Sequence, residues 1–250
     1  MPAIWHTHAP ISGDITVEGN GRRLCLLGED GIHVEGHGDI RLSLSSAELL
    51  AYLALRDGHW ARRPAIIRAM WPDAPEQQGR RLLSRLLWRT NSDLPERLIE
   101  AEGELVSLTD GLTSDWEQAL VVIESIEETD ALPVPERAAL LRRPLMAEVS
   151  ASWADEQRAH WDRQRFHALL RVGQMLLADG HVRQAADTAS FLTSWDPLDE
   201  PSHELLVRSL IGMGATGRAA ESLRALDKRL RRELGVEADP QLFALLRQGS

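Results

Sequence analysis

Short apolar runs broken by glycine open the chain, and helical periodicity takes over after about residue 115. Leu24-Cys25-Leu26-Leu27-Gly28, Gly31-Ile32-His33-Val34-Glu35-Gly36 and Asp39-Ile40-Arg41-Leu42-Ser43-Leu44 predict short strands in a small meander. A first helix is predicted from Ser45, which with Glu48 fits a capping box. Leu49, Leu50 and Leu53 give it an apolar face, and Asp57-Gly58 ends it. Pro64 opens a second helix, with Ile66, Ile67 and Met70 inward and Pro72 as its stop. A third is expected from Glu76 to Asn91. At about 100° per residue, Leu83, Leu86, Leu87 and Thr90 gather on one side. Arg81, Ser84, Arg85 and Trp88 take the other, flanked by Arg80 and Arg89. Arg97–Ala101 and Leu105–Leu108 flank Glu102-Gly103-Glu104, the pattern of a hairpin that turns at glycine. The order is strands, three helices, hairpin.

The pattern changes between about Gly111 and Trp116, and from there helical spacing runs to the end. Leu176-Leu177-Ala178-Asp179-Gly180 with Gln184-Ala185-Ala186 recurs as Leu210-Ile211-Gly212-Met213-Gly214 with Arg218-Ala219-Ala220, an offset of 34 residues. That is the tetratricopeptide period of paired antiparallel helices, whose small residues allow close approach. Asp196-Pro197 ends one pair and opens a turn. The helices over Trp153–Ala178 and after Leu223 are expected to complete the stack.

Composition sharpens this picture. The chain has 250 residues, 43% of them apolar, enough for one large domain or two ordinary ones and too many for a disordered chain. The net charge of −10 argues against a general polyanion binder. Cys25 is the sole cysteine, which excludes an intrachain disulfide and a cysteine-rich zinc site and agrees with a reducing compartment. No apolar run is long enough for a membrane span, and Met1–Ile11 lacks the basic start and apolar block of a signal peptide, so a cytoplasmic protein is expected. All but one of the 28 basic residues are arginine, a bias expected of a GC-rich genome.

Local charge runs against the total. Arg62–Ser92 holds seven arginines (62, 63, 68, 80, 81, 85, 89) and two acids, Asp73 and Glu76, for a net of +5. The third helix, about 16 residues or roughly 24 Å long, fits the width of a DNA major groove. Arg81 and Arg85 can fork onto guanine edges or phosphates, and Ser84 can read either. Arg62 and Arg63, just ahead of the second helix, are placed to fix register on phosphate. Taken alone, an arginine stripe reads first as a solvated face. Trp88 opposite the apolar stripe needs a cover, either the hairpin or a ligand, and the hairpin is the expected one. His6 and His8 lack the carboxylate or cysteine companions of a metal site. His33 and His37 flank a glycine-rich turn and read as solvent-facing, Cys25 as core, and Glu127-Glu128 and Asp199-Glu200 as exposed helix ends. There is no phosphate-binding glycine loop, no Gly-x-Ser-x-Gly and no constellation for catalysis, so neither an enzyme nor a cofactor is expected.

These residues resemble the SARP-type transcriptional regulators, which join an OmpR-like winged helix-turn-helix to a bacterial transcriptional activator domain. The resemblance lies in Arg23–Gly28, Leu49–Leu55, Trp71-Pro72-Asp73-Ala74-Pro75, Arg80-Arg81, Leu83 and Leu87-Trp88-Arg89. In the second part it lies in Ser152–Arg158, Asp196–Glu200 with His203, and Glu233–Glu237 with Asp239-Pro240. It implies a mainly α fold. Residues 1–21 are an extension, 22–113 a winged helix-turn-helix with a small sheet and a hairpin wing, and 114–250 an all-α tetratricopeptide-like activator domain. It implies a DNA-binding regulator, an activator, whose third helix enters the major groove. The matching positions are Arg80, Arg81, Ser84, Arg85 and Arg89. Promoter direct repeats, RNA polymerase and a second copy of the chain are the implied partners. Three features depart from the pattern: Thr90-Asn91-Ser92 replaces a basic tail, the wing carries Glu100, Glu102 and Glu104, and Met1–Gly21 has no counterpart. The acidic wing, the missing basic tail and the net charge of −10 motivate an alternative, an interaction protein with weakened DNA binding that works through its helices.

Overall fold

In the computed structural model, residues 22–35, 40–94, 96–129 and 131–248 are described; the expectations for Met1–Gly21, His6, His8 and His37 lie outside them. The first part carries two small sheets around three helices. Strands β1 (Arg23–Cys25), β2 (His33–Glu35) and β3 (Ile40–Arg41) form the antiparallel meander. Helix α1 (Leu44–Ala54) follows, then β4 (Trp60–Arg62), α2 (Arg63–Met70) and α3 (Glu76–Asp93). Strands β5 (Ile99–Glu102) and β6 (Leu105–Leu108) make the hairpin, and β4 joins it in the order β4-β6-β5. The apolar positions behave as their spacing requires: Leu49, Leu50, Leu53, Ile66 and Leu83 are fully buried in one core with Val106 of the hairpin.

The cap of α1 differs from expectation. Ser43, not Ser45, is the N-cap, and its hydroxyl accepts the Ser46 N–H at 3.3 Å. Starting the helix two residues earlier buries Ser46, whose hydroxyl accepts a 2.9 Å bond from the buried Thr90 of α3. That buried partnership outweighs the solvent-facing capping box, since an unpaired buried hydroxyl is costly.

Thr113–Ser114 forms β7, which returns to pair in parallel with β1, so the first sheet has the order β3-β2-β1-β7. Helix α4 (Asp115–Thr129) leaves from that strand. Helical periodicity does not continue unbroken. Among the described residues between α4 and residue 151, the helical structure is a one-turn helix, α5 (Pro135–Ala138), and a 3-10 turn. Pro133, Pro135 and Pro144 account for this, because proline removes a backbone donor and restricts the residue before it. The remainder is α6 (Ser152–Ala178), α7 (Val182–Trp195), α8 (Glu200–Gly212), α9 (Thr216–Glu233) and α10 (Pro240–Gln248).

The 34-residue repeat holds at the level of single hydrogen bonds. Gly180 and Gly214 both take positive φ, 80° and 73°. The next N–H donates back to the carbonyl five residues earlier in each copy, His181 to Leu176 and Ala215 to Leu210, both at 2.8 Å. These are matching Schellman ends. Ala185 and Ala219, one repeat apart, are both fully buried where α7 and α9 meet the helices before them. Asp199 caps α8 by accepting the Ser202 N–H at 2.9 Å.

Candidate nucleic-acid interface

Helix α3 is held on three sides. Gly79 faces α2 so closely that a Cβ there would lie 2.3 Å from Ile67 Cγ2. Thr90 ties the helix to α1 through Ser46. Asn91 staples its end to the hairpin: its amide donates to the Ile99 carbonyl at 2.9 Å, while its oxygen accepts the Leu98 and Ile99 N–H groups at 3.2 and 3.1 Å. Two members of the Thr90-Asn91-Ser92 departure therefore orient the helix.

Opposite these anchors, Arg81, Ser84, Arg85, Trp88 and Arg89 are exposed. Arg81, Arg85 and Arg89 make no ion pair among the described residues. Ser84 donates to the Arg80 carbonyl at 2.9 Å, closing its hydroxyl proton onto its own helix. Trp88 is not covered by the hairpin as expected; it is 71% exposed and only borders a shallow groove with Asn91, Arg97 and Ala101. The reason is that β5 approaches through Asn91, to one side of the outward face.

Arg80 is engaged from within. It donates to Glu76 one turn back at 3.2 Å and to Glu104 at the wing turn at 2.8 Å. The hydrogen bond from Arg80 holds the Glu104 carboxyl below the usual carboxylate range. Arg63 is the first residue of α2, and its guanidinium donates to the Gly103 carbonyl at 2.9 Å, its N–H to the Glu104 carbonyl at 2.8 Å. Arg62 is exposed at the end of β4. Gly103 turns with φ +55°, which brings the Glu104 carboxylate over α3. This clasp was not visible in the sequence, because 24 residues separate Glu104 from Arg80. The surplus of acids in the wing was the available signal. The arrangement leaves Arg81, Arg85 and Arg89 able to donate to phosphate or guanine, while Arg80 and Arg63 brace the wing.

Cys25, His33 and Glu35 bring metal-ligating atoms within 4.8 Å of one another, the one such cluster among the described residues. They do not suit a cation. Glu35 is held by Arg23, and burial pushes the Cys25 thiol up to about 12. His33 is part-buried rather than solvent-facing and contacts the Gly31 carbonyl at 3.0 Å through Nδ1. Cys25 is core, as expected.

Residues 129–248 match the family of bacterial transcriptional activator domains. The regulatory protein AfsR of Streptomyces griseus is 28% identical over 219 residues, covering 79% of this chain and 21% of that protein. Residues 129–248 therefore carry a bacterial transcriptional activator domain, and together these matches support a SARP-type transcriptional regulator. The chain spans about one fifth of the length of the AfsR protein it matches. A solved structure of Mycobacterium tuberculosis EmbR, in complex with a low-affinity phosphopeptide, has a TM-score of 0.71 over 91% of this chain and 64% of that one. At 16% identity that likeness bears on the fold, and it agrees with a SARP-type arrangement of small amino-terminal sheets followed by a helical domain. No described helix is long and apolar enough to cross a membrane.

Proposed function

We propose that this SARP-type chain is a transcriptional activator that reads promoter DNA with α3. The observation that carries the reading is the outward face of that helix. Arg81, Arg85 and Arg89 stand exposed and unpaired among the described residues, opposite Leu83, Leu86 and Thr90, in a chain whose net charge is −10. Guanidinium groups fork onto guanine O6 and N7 or onto phosphate, and Arg62 at the end of β4 adds a backbone contact. The division into a winged part over 22–113 and a helical part from 114 belongs to the same proposal. So do binding to direct repeats as a homodimer, contact of the helical part with RNA polymerase, and action in the cytoplasm without catalysis.

Selection of duplexes from a random pool, followed by mobility shifts over a range of salt, tests it. A recovered sequence should bind with affinity falling steeply as salt rises, since each neutralised phosphate releases counterions. The double variant R81A/R85A should lose most of that binding and flatten the salt slope by about two, while keeping its helical spectrum. Unchanged affinity in the double variant would sink the assigned face.

A second reading is favoured by one observation: the acidic wing. Glu104 already occupies Arg80, and Glu100 and Glu102 are exposed beside it. In that reading the chain works through its helices as an interaction protein. Binding to DNA only below physiological salt, without sequence preference, supports it over the first.

A further inference from the structure

We propose that Trp88 determines sequence specificity by placing its indole against the C5-methyl of a thymine in the major groove. This rests on the reading of α3 as the DNA-contacting helix and adds to it which base chemistry the helix seeks beyond guanine. Trp88 is 71% exposed, the most exposed of the large apolar side chains among the described residues. At about 100° per residue it lies within about 60° of both Arg81 and Arg85, at the middle of the outward face. Its neighbours one turn away do not screen it. Ser84 donates back to the Arg80 carbonyl at 2.9 Å, and Ser92 donates back to the carbonyl of Trp88 itself at 2.8 Å. The indole therefore stands proud of two short side chains, on a face whose charge is complementary to DNA.

In an intact duplex the base faces are stacked and closed. The apolar group offered by the major-groove edges is the thymine methyl. An indole carried into the groove by flanking guanidinium groups loses its water there and regains apolar contact at that methyl. The rise of the helix sets the place. Three residues separate Arg85 from Trp88, or about 4.5 Å along the axis, against about 3.4 Å per base pair. The thymine lies one or two base pairs beyond the base met by Arg85, on the side away from Arg81.

The test uses the full chain and the duplex recovered by the random-pool selection. Each thymine is replaced in turn by deoxyuridine, which removes the methyl and leaves every hydrogen-bonding group. One replacement should weaken wild-type binding about fourfold, the value of one buried methyl group, and should leave W88A unaffected. W88F should keep part of the sensitivity. The salt slope should be the same in W88A as in the wild type, because indole releases no counterion, and thermal melting should be unchanged at so exposed a position. Indifference of the wild type to every replacement overturns the proposal, as does equal sensitivity in W88A. These outcomes leave the DNA-reading role intact if R81A/R85A still abolishes binding. Failure of the selection to enrich any duplex overturns both.

Discussion

At the scale of single residues, the balance of charge around α3 is decided by one carboxylate. Glu104 accepts from Arg80 at 2.8 Å and so occupies a guanidinium donor that would otherwise face solvent. The bridge holds at neutral pH. The Glu104 carboxyl lies below its ordinary range because of the Arg80 hydrogen bond, so the contact is present above that range and is lost as pH falls through the lowered value. E104Q frees Arg80 without touching the Arg63–Gly103 bond. It should raise affinity for the selected duplex and steepen the plot of log affinity against log salt by about 0.9, one further phosphate contact. An unchanged slope in mobility shifts would mean that Arg80 remains committed to Glu76 and the wing. The arginines themselves were legible in the sequence, since their spacing alone places them opposite the leucines. Their pairing state was not, because Glu104 reaches Arg80 only through a turn that β5 and β6 position in space.

At the scale of elements, close approach between helices depends on two glycines inside them. Gly79 lets α3 lie against Ile67 of α2, and Gly173 lets α6 lie against α8, where a Cβ would meet Leu205 Cδ2 at 2.4 Å. Alanine in mid-helix ordinarily stabilises by about 1 kcal/mol. Overpacking at a fixed contact costs about 1–3 kcal/mol. The clash offsets or exceeds that gain, so G173A should lower stability by up to about 2 kcal/mol in chemical denaturation. A gain in stability would show that α6 and α8 can part without loss. The small residues of the repeat, Ala185 and Ala219, were readable because a fixed offset of 34 residues marks them. Gly79 and Gly173 were not, since a lone glycine in a helical pattern says nothing about what packs over it. The break between α4 and α6 is marked by its prolines, while apolar spacing alone runs across it.

At the scale of the molecule, the winged and helical parts are joined by more than a linker. One continuous core runs from Leu24 through Leu83 and Trp161 to Leu192. The chain at Leu26–Gly28 pairs with the segment before α6. Met146 donates to the Leu26 carbonyl and Gly28 to the Pro144 carbonyl, both at 2.8 Å, and Leu27 bridges Leu145. On the other side of the same residues, the buried Asp115 carboxylate accepts the Leu26 and Leu27 N–H groups at 2.7 and 3.1 Å. Tyr52 of α1 meets Trp153 of α6 edge-on at 5.1 Å. Such a joint predicts that both parts unfold in a single calorimetric transition. D115A leaves two N–H groups unpaired, and it should cost about 2–4 kcal/mol across the whole transition. Two separated transitions in the wild type would show that the joint does not couple the parts.

What the sequence determined by itself was local and periodic. The leucines set which side of each helix is inward, glycine and proline set where elements stop, the 34-residue offset set the helix pairs, and the excess of arginine over acid marked α3. These follow from interactions within a few residues, where spacing is geometry. Tertiary structure alone decided which arginines stay free, that Trp88 stands uncovered, and that Asp115 locks one part to the other. Each of those depends on residues far apart in the chain arriving at one place, and neither charge nor periodicity encodes that arrival.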